Sequence, residues 1–389
     1  RFNSTFSGAL SGLFTANEYV SFGSNASVAF GNSIAAGTTI VAGSANDSLS
    51  FGFAVAGATI DAGAGVDTLL FTAAVNGASI DAGAGADSLI FSSTATGRIS
   101  GLYDSNEFVS FANSGATVAF GSGIGTGSTV QFGTGNDMAT FEGAVTTARI
   151  FTGGGADTLI FAGNVTAVFG DAIASASGIS FGAGNDMATF SGAIGAASIR
   201  GGGGADSLVF SNIALAGTTI AGGASADVFS GGVSVGSGGV SFWGGAGGDL
   251  YNFSAISNGS STAYFWNDDT SNGTDTIVFN SSSTTVKSKL GFGVTSGAGL
   301  VVSYGSAFSA ISDVFDASTS SLFSVGGTSS LATVGFSGGT ITLNYGSGVS
   351  LSFQSANAAI TQDFADAFMG GTSRATVNFG TGQSFPSFS

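Results

Sequence analysis

Residues 79–93 read SIDAGAGADSLIFSS: one acid set among small residues and followed at once by an apolar run. In a strand, alternate residues share a face, so Leu89 and Phe91, two and four after Asp87, point the same way. The arrangement recurs at Asp47, Asp67, Asp87, Asp137, Asp157, Asp186, Asp206, Asp227, Asp249 and Asp275, with separations of 20, 20, 50, 20, 29, 20, 21, 22 and 26. Seven residues before the acid stands a β-branched residue: Ile40, Ile60, Ile80, Val130, Ile150, Ile179, Ile199 or Ile220. Leu or Ala follows two later, and Phe four later (Phe51, Phe71, Phe91, Phe141, Phe161, Phe190, Phe210).

A unit of this length cannot bury its own apolar face, but stacked copies make that face a continuous core. The pattern therefore predicts an all-β fold, a parallel β-solenoid, with a C-terminal β-rich segment. Glu107, in DSNEFVSF, lies 20 after Asp87 and takes the acid's place, and Glu18, in TANEYVSF, lies 29 before Asp47. A longer duplication offset by about 90 residues relates the two segments, and some units carry an extra ten-residue piece: SVAFGNSIAA, TVAFGSGIGT or AVFGDAIASA. These pieces fit either a third side of the coil or an outward bulge. The expected organisation is residues 1–39 as a β-rich cap or first coils, 40–279 as the repeat solenoid, and 280–389 as a β-rich region with one short helix.

Composition narrows the function. The 389 residues are 43% hydrophobic, enough for a large core, yet only 8% are charged and 67 are Gly. With seven basic residues and a net charge of −16, the electrostatic footprint of nucleic-acid binding is missing. No Cys and no His means no disulfide, no zinc site of the usual kinds and no His-based catalysis. No apolar run is long enough for a helical membrane span. The chain begins at Arg1 without an apolar leader, as a processed or partial chain does.

The windows ending on the acid are AGAGVD (62–67), AGAGAD (82–87), FGTGND (132–137), TGGGAD (152–157), FGAGND (181–186), GGGGAD (201–206) and GGAGGD (244–249). They resemble the nonapeptide G-G-x-G-x-D-x-U-x of the repeats-in-toxin (RTX) family, U being a large apolar residue. Two windows match every required position through the acid, and most others lose the first Gly. AGSAND (42–47) and GGASAD (222–227) depart at the fourth position. The resemblance covers residues 40–279 and implies an RTX-like β-roll with Ca²⁺ held between successive turns. Hard carboxylate and carbonyl oxygens suit that ion. It implies Asp47, Asp67, Asp87, Asp137, Asp157, Asp186, Asp206, Asp227, Asp249 and Asp275 as ligands. The family usually carries two such turns per coil, whereas here the opposite turn reads AAVNGAS or GAVTTAR, so the calcium ladder is expected along one edge only. The alternative is that each Asp merely caps its turn by hydrogen bonding to the backbone.

The acid pairs Asp268/Asp269, Asp313/Asp316 and Asp363/Asp366 read as solvated turns rather than acid/base pairs, and no motif supports a Ser-Lys centre at Lys287 or Lys289. No enzyme is expected. Three after the acid, the outer face reads Ser50, Leu70, Ile90, Thr140, Ile160, Thr189, Val209, an apolar stripe suited to subunit contact or to being covered. Past Phe279, KLGFGVTSG, GLVVSYG, TITLNYG and VSLSFQS read as antiparallel strands and 356–371 as a helix. In exported proteins of the resembled kind this end holds the secretion signal. The expected function is a secreted, calcium-stabilised structural protein that self-assembles into a surface layer or extracellular filament, with itself and a cell-surface polysaccharide as partners. The alternatives are a calcium-dependent adhesin or ice-binding solenoid, and a polysaccharide-acting β-helix enzyme.

Overall fold

The computed structural model describes residues 1–11, 15–112, 115–257 and 261, and shorter runs at 263–267, 273–279, 290–294, 299–304, 322–325, 331–337, 340–345, 350–355 and 378–379. The helix expected at 356–371, the three acid pairs, Lys287 and Lys289 lie outside the described residues. All described regular structure is β, and the chain divides into two compact units, Arg1–Ala183 and Gly184–Ser389.

In the first unit a coil is a short strand, a corner, a second strand and a glycine-rich turn ending on the acid. Successive coils stack in parallel to make two sheets. The first sheet runs Phe6–Leu10, Ala26–Phe30, Ser48–Phe51, Thr68–Phe71, Ser88–Phe91, Phe108–Phe111, Thr129–Gln131, Val145–Phe151 and Val165–Phe169. The second runs Tyr19–Ser21, Thr39–Val41, Thr59–Asp61, Val75–Asp81, Ala95–Ser100, Thr117–Phe120, Met138–Phe141, Thr158–Phe161 and Gly178–Ser180.

Inward residues form columns of like shape, as the two-residue alternation requires. Leu49, Leu69, Leu89 and Val109 stand in register, as do Ile40, Ile60, Ile80 and Ile99, and all are buried. The rings of Phe30, Phe51, Phe71, Phe91, Phe111 and Phe132 stack face to face with centroids 4.7–5.3 Å apart. That spacing is the distance between parallel strands, so coil stacking and ring stacking reinforce each other. Each buried ring contributes about 1.5–3 kcal/mol by removal from water.

The ten-residue pieces neither add a side nor bulge. Each supplies one strand of a sheet: Ala26–Phe30 pairs with Ser48–Phe51, and Thr117–Phe120 with Met138–Phe141. A coil takes 20 or 21 residues, so ten more are half a coil. The acid that follows such a piece therefore precedes a strand of the other sheet. Asp47, Asp67, Asp87 and Glu107 all precede first-sheet strands, whereas Asp137 and Asp157 precede second-sheet strands, as Glu18 does. The expectation of a single acidic edge is thus corrected: the acid column changes edge within the first unit, because Glu107 and Asp137 are one and a half coils apart.

The same change breaks the expected outer stripe. Ser50, Leu70, Ile90 and Ser110 stand in register on one sheet, and Thr140, Ile160 and Ser180 on the other. An ion pair brackets one half-coil: Arg98 Nη1 lies 2.7 Å from Glu142 Oε2, with Arg98 also donating to Gly121 O.

In the second unit one sheet runs Met187–Phe190, Ser207–Leu215, Val228–Val235, Leu250–Ser257, Thr274–Phe279, Gly299–Tyr304 and Ser350–Ser355. The other runs Ser198–Gly203, Thr218–Ala224, Val240–Ala246, Ala263–Asn267, Leu290–Val294, Leu322–Val325 and Asn378–Phe379. Parallel pairing thus runs past Phe279. Leu290–Val294 and Gly299–Tyr304, read as antiparallel from sequence, extend the coils instead. Thr340–Tyr345 is antiparallel to both Leu331–Ser337 and Ser350–Ser355. Alternation with glycine turns is common to coils and hairpins, so it does not distinguish them.

Non-glycine residues hold left-handed backbone at three positions where related coils use glycine: Thr147, Ser225 and Ala176, whose φ of 65° falls where Gly127 stands 49 residues earlier. Thr147, with φ of 48°, stands 90 residues after Gly57, and Ser225, with φ of 81°, occupies the fourth window position that Gly65, Gly85, Gly155 and Gly204 fill elsewhere. Such backbone costs a β-branched or bulky residue on the order of 1 kcal/mol or more, which glycine escapes. Thr147→Gly and Ser225→Gly are each expected to raise stability by about 1 kcal/mol, read as a higher urea midpoint; a lower midpoint in both would refute the strain.

Candidate functional site

The aspartates do not line the surface. Asp47, Asp67, Asp87, Asp137, Asp157, Asp186, Asp206, Asp227, Asp249 and Asp275 are all buried, none more than 3% exposed, and so is Glu107. The glycine turn curls the chain so that the acid's side chain points inward at the corner of the coil. Its main-chain oxygen still serves the sheet: Ser88 N–H donates to Asp67 O, and Thr158 N–H to Asp137 O.

The acid's own N–H is satisfied by the next acid. Asp47 N–H donates to Asp67 Oδ1, Asp67 N–H to Asp87 Oδ1, and Asp87 N–H to Glu107 Oε2, at 2.7–2.8 Å. Asp137 N–H donates to Asp157 Oδ1 at 3.0 Å. In the second unit Asp186, Asp206, Asp227 and Asp249 donate in turn to Asp206, Asp227, Asp249 and Asp275 at 2.8–2.9 Å. Glu107 thus takes a full place in its column, as its spacing suggests. The acid caps a backbone group, as the simplest reading of these residues holds, but in the preceding coil and not in its own turn. Asp47 and Asp227, whose windows lack the fourth glycine, join the ladder like the rest.

Column ends carry residues that the repeat does not mark. Ser128 and Ser177, 21 and 20 after the last acid of each first-unit column, present a buried hydroxyl that accepts the N–H of Glu107 and of Asp157, both at 3.0 Å. Each column opens on an Asn-Asp pair. Asn46, Asn136 and Asn185 accept the N–H of Val66, Ala156 and Ala205 in the following coil, each at 2.9 Å. Serine at the acid's period and Asn before the first acid were the available signals.

Only one carboxylate oxygen is used by this ladder. The other one is buried without a hydrogen-bond partner in Asp47, Asp67, Asp87, Glu107, Asp137, Asp157, Asp206 and Asp227. Among the described residues the ion pair is the exposed Arg98–Glu142 contact, and no described basic side chain pairs with an acid of the first-unit columns. Burial pushes Asp67, Glu107 and Asp227 up to about 7, and Asp87, Asp157 and Asp206 up to about 6; the hydrogen bond from the preceding coil opposes the rise and neighbouring acids add to it. Asp47 and Asp137 are raised by burial as well.

The first window glycine has a visible purpose in the second unit. A side chain at Gly201, Gly222 or Gly244 would collide with the carboxylate of Asp206, Asp227 or Asp249, five residues on. The donor set along the columns is hard oxygen throughout, and the orphaned, negatively charged atoms fit a divalent cation of the calcium type better than a soft metal. Among the described residues no three acidic side chains converge on one point, so the columns offer carboxylates singly or in pairs, beside turn carbonyls. The chain matches no known family model and no curated protein.

The pH dependence follows from the raised values. A carboxyl whose folded pKa exceeds its unfolded value of about 4 contributes stability that is present below that value and lost as pH rises through the folded value. Without divalent cations the protein is therefore expected to melt higher at pH 4 than at pH 8, with the loss concentrated between about pH 4 and 7. A melting temperature flat or rising over that range in EGTA would contradict the burial of ionised columns. At a single position, Asp87→Asn keeps an acceptor for Asp67 N–H, whereas Asp87→Ala orphans it and is expected to cost about 1–3 kcal/mol more by urea unfolding.

Proposed function

We propose that the chain is a non-catalytic structural protein whose solenoid is stabilised by calcium bound along its acid columns, exported, and self-assembled into a surface layer or extracellular filament. The observation that carries the calcium reading is the buried column itself: one carboxylate per coil, stacked about 4.8 Å apart, with a second oxygen that no protein group hydrogen-bonds in Asp47, Asp67, Asp87, Glu107, Asp137, Asp157, Asp206 and Asp227. Calcium would supply the missing positive charge and take six to eight oxygens. Asp47, Asp67, Asp87, Asp137, Asp157, Asp186, Asp206, Asp227, Asp249 and Asp275 would hold it, with Glu107 in the same role. The RTX-like character of the windows supports the same ion.

Assembly draws its support from regularity and low charge. Outward rows repeat once per coil, Ser48, Thr68 and Ser88 on one sheet and Thr39, Thr59 and Ser79 on the other, and such rows suit repeated contacts between copies. A second reading, a calcium-dependent face for ice or another ordered surface, has the Thr39, Thr59, Ser79 row in its favour. Arg98 follows Ser79 in register and interrupts it, so assembly is preferred. Thermal-hysteresis activity in purified protein would reverse that preference.

Each site filled at a hundredfold excess over Kd adds about 2.7 kcal/mol to the folded state, and several sites together match the whole stability of an ordinary domain, roughly 5–15 kcal/mol. EGTA is expected to lower the melting temperature sharply by calorimetry and to disperse the assemblies seen by electron microscopy in calcium. An unchanged melting temperature after verified calcium removal would leave the aspartates as caps alone, and dispersed monomers in both conditions would end the assembly reading.

A further inference from the structure

Within the acid columns of the first unit, the turn's N–H groups pair with main-chain oxygens of the following coil: Ala62 N–H with Asp81 O, Gly65 N–H with Ala84 O, and Phe132 N–H with Phe151 O. The last glycine turn of each column differs, because the next coil has no glycine turn to offer. There a carboxylate takes over. Gly85 N–H donates to Asp104 Oδ2 at 2.8 Å, and Thr152 and Gly153 donate to Asp171 Oδ1 and Oδ2 at 2.9 and 2.7 Å.

The two residues reach this post from different places in the repeat. Asp104 stands three before Glu107, and Asp171 six before Ser177, so the arrangement is not one duplicated accident. Hydrogen bonding alone does not call for charge, since a neutral carbonyl does the same work in the coils before. Charge here is costly. Asp104 acts on both Asp87 and Glu107 with like charge, and Asp171 on Asp157. Asp87 Oδ2, Glu107 Oε1 and Asp157 Oδ2, each on a side chain at least 98% buried, are the atoms left without a partner at these same column ends.

Resting on the calcium reading above, we infer that Asp104 and Asp171 are positioning residues for a divalent cation at the end of each column: each holds the last glycine turn by its N–H groups and adds the negative charge that an ion at that turn requires. The two column ends are then the tightest calcium sites of the first unit.

Asp104→Asn separates charge from hydrogen bonding, because the amide oxygen still accepts from Gly85. Calcium titration calorimetry of the full chain is expected to show one site weakened at least tenfold in Asp104→Asn, while its melting temperature in EGTA stays level or rises as like charge is relieved. Asp104→Ala is expected to weaken the same site and also to melt lower in EGTA. Asp104→Asn binding calcium like the wild type, or melting in EGTA as low as Asp104→Ala, would make the residue a plain backbone cap and overturn the inference. A wild type that takes up no calcium would instead remove the calcium reading itself, and this inference with it.

Discussion

The structure depends on a hydrogen bond from the main-chain N–H of one acid to the side-chain oxygen of the acid a coil later. A parallel ladder needs every N–H and C=O at the corner to find a partner, and a buried corner has no water to offer one. The glycine turn brings the acid inward, and its carboxylate closes the account for the coil before. Hydrogen bonds to a charged group contribute about 1.5–3 kcal/mol each, but their larger effect is on register. Asp67 can reach Asp47 N–H only when the coils are in step, and the same step aligns leucine with leucine and ring with ring.

That arrangement also carries a liability. Every column puts ionisable groups one strand spacing apart in a region of low polarity, and in the first-unit columns the second carboxylate oxygen of each acid is idle. The chain limits this at the ends of the first-unit columns, where Ser128 and Ser177 present hydroxyls in place of further carboxylates. Inside the columns nothing of this kind intervenes, and at their ends Asp104 and Asp171 bring charge back to the last glycine turn, so a counter-ion has a contribution to make all along a column and most at that turn. The fold is thus specified by neutral geometry, while its stability is left open to the solution around it.

Much of this was legible from residue order. The spacing of the acids near 20, with Leu-x-Phe after each, fixes coil length and inward face, because only stacked strands make such a pattern useful. The edge change was legible in principle, since the separations of 29 and 30 around Glu18, Asp47, Glu107 and Asp137 are odd multiples of half a coil. It was missed because an extra strand and an extra side look alike in sequence. Ser128 and Ser177 carry only the faint mark of standing at the acid's period in a serine-rich chain, and Asp104 and Asp171 carry none, so their role appears only once the coils are superposed. The strands at Leu290–Val294 and Gly299–Tyr304 misled for a related reason, as local alternation says nothing about the direction of a neighbour.

The half-coil gives the chain something like a reading frame. Because Val28 and Phe30 occupy the same inward columns as Leu49 and Phe51, and Val118 and Phe120 those of Ala139 and Phe141, strands of either half are interchangeable in the core. A gain or loss of ten residues preserves every buried face and moves the downstream acids to the opposite edge, whereas a gain or loss of one turns a strand inside out. Such a chain can therefore be lengthened or shortened, and its charge redistributed, in steps of ten without rebuilding the core.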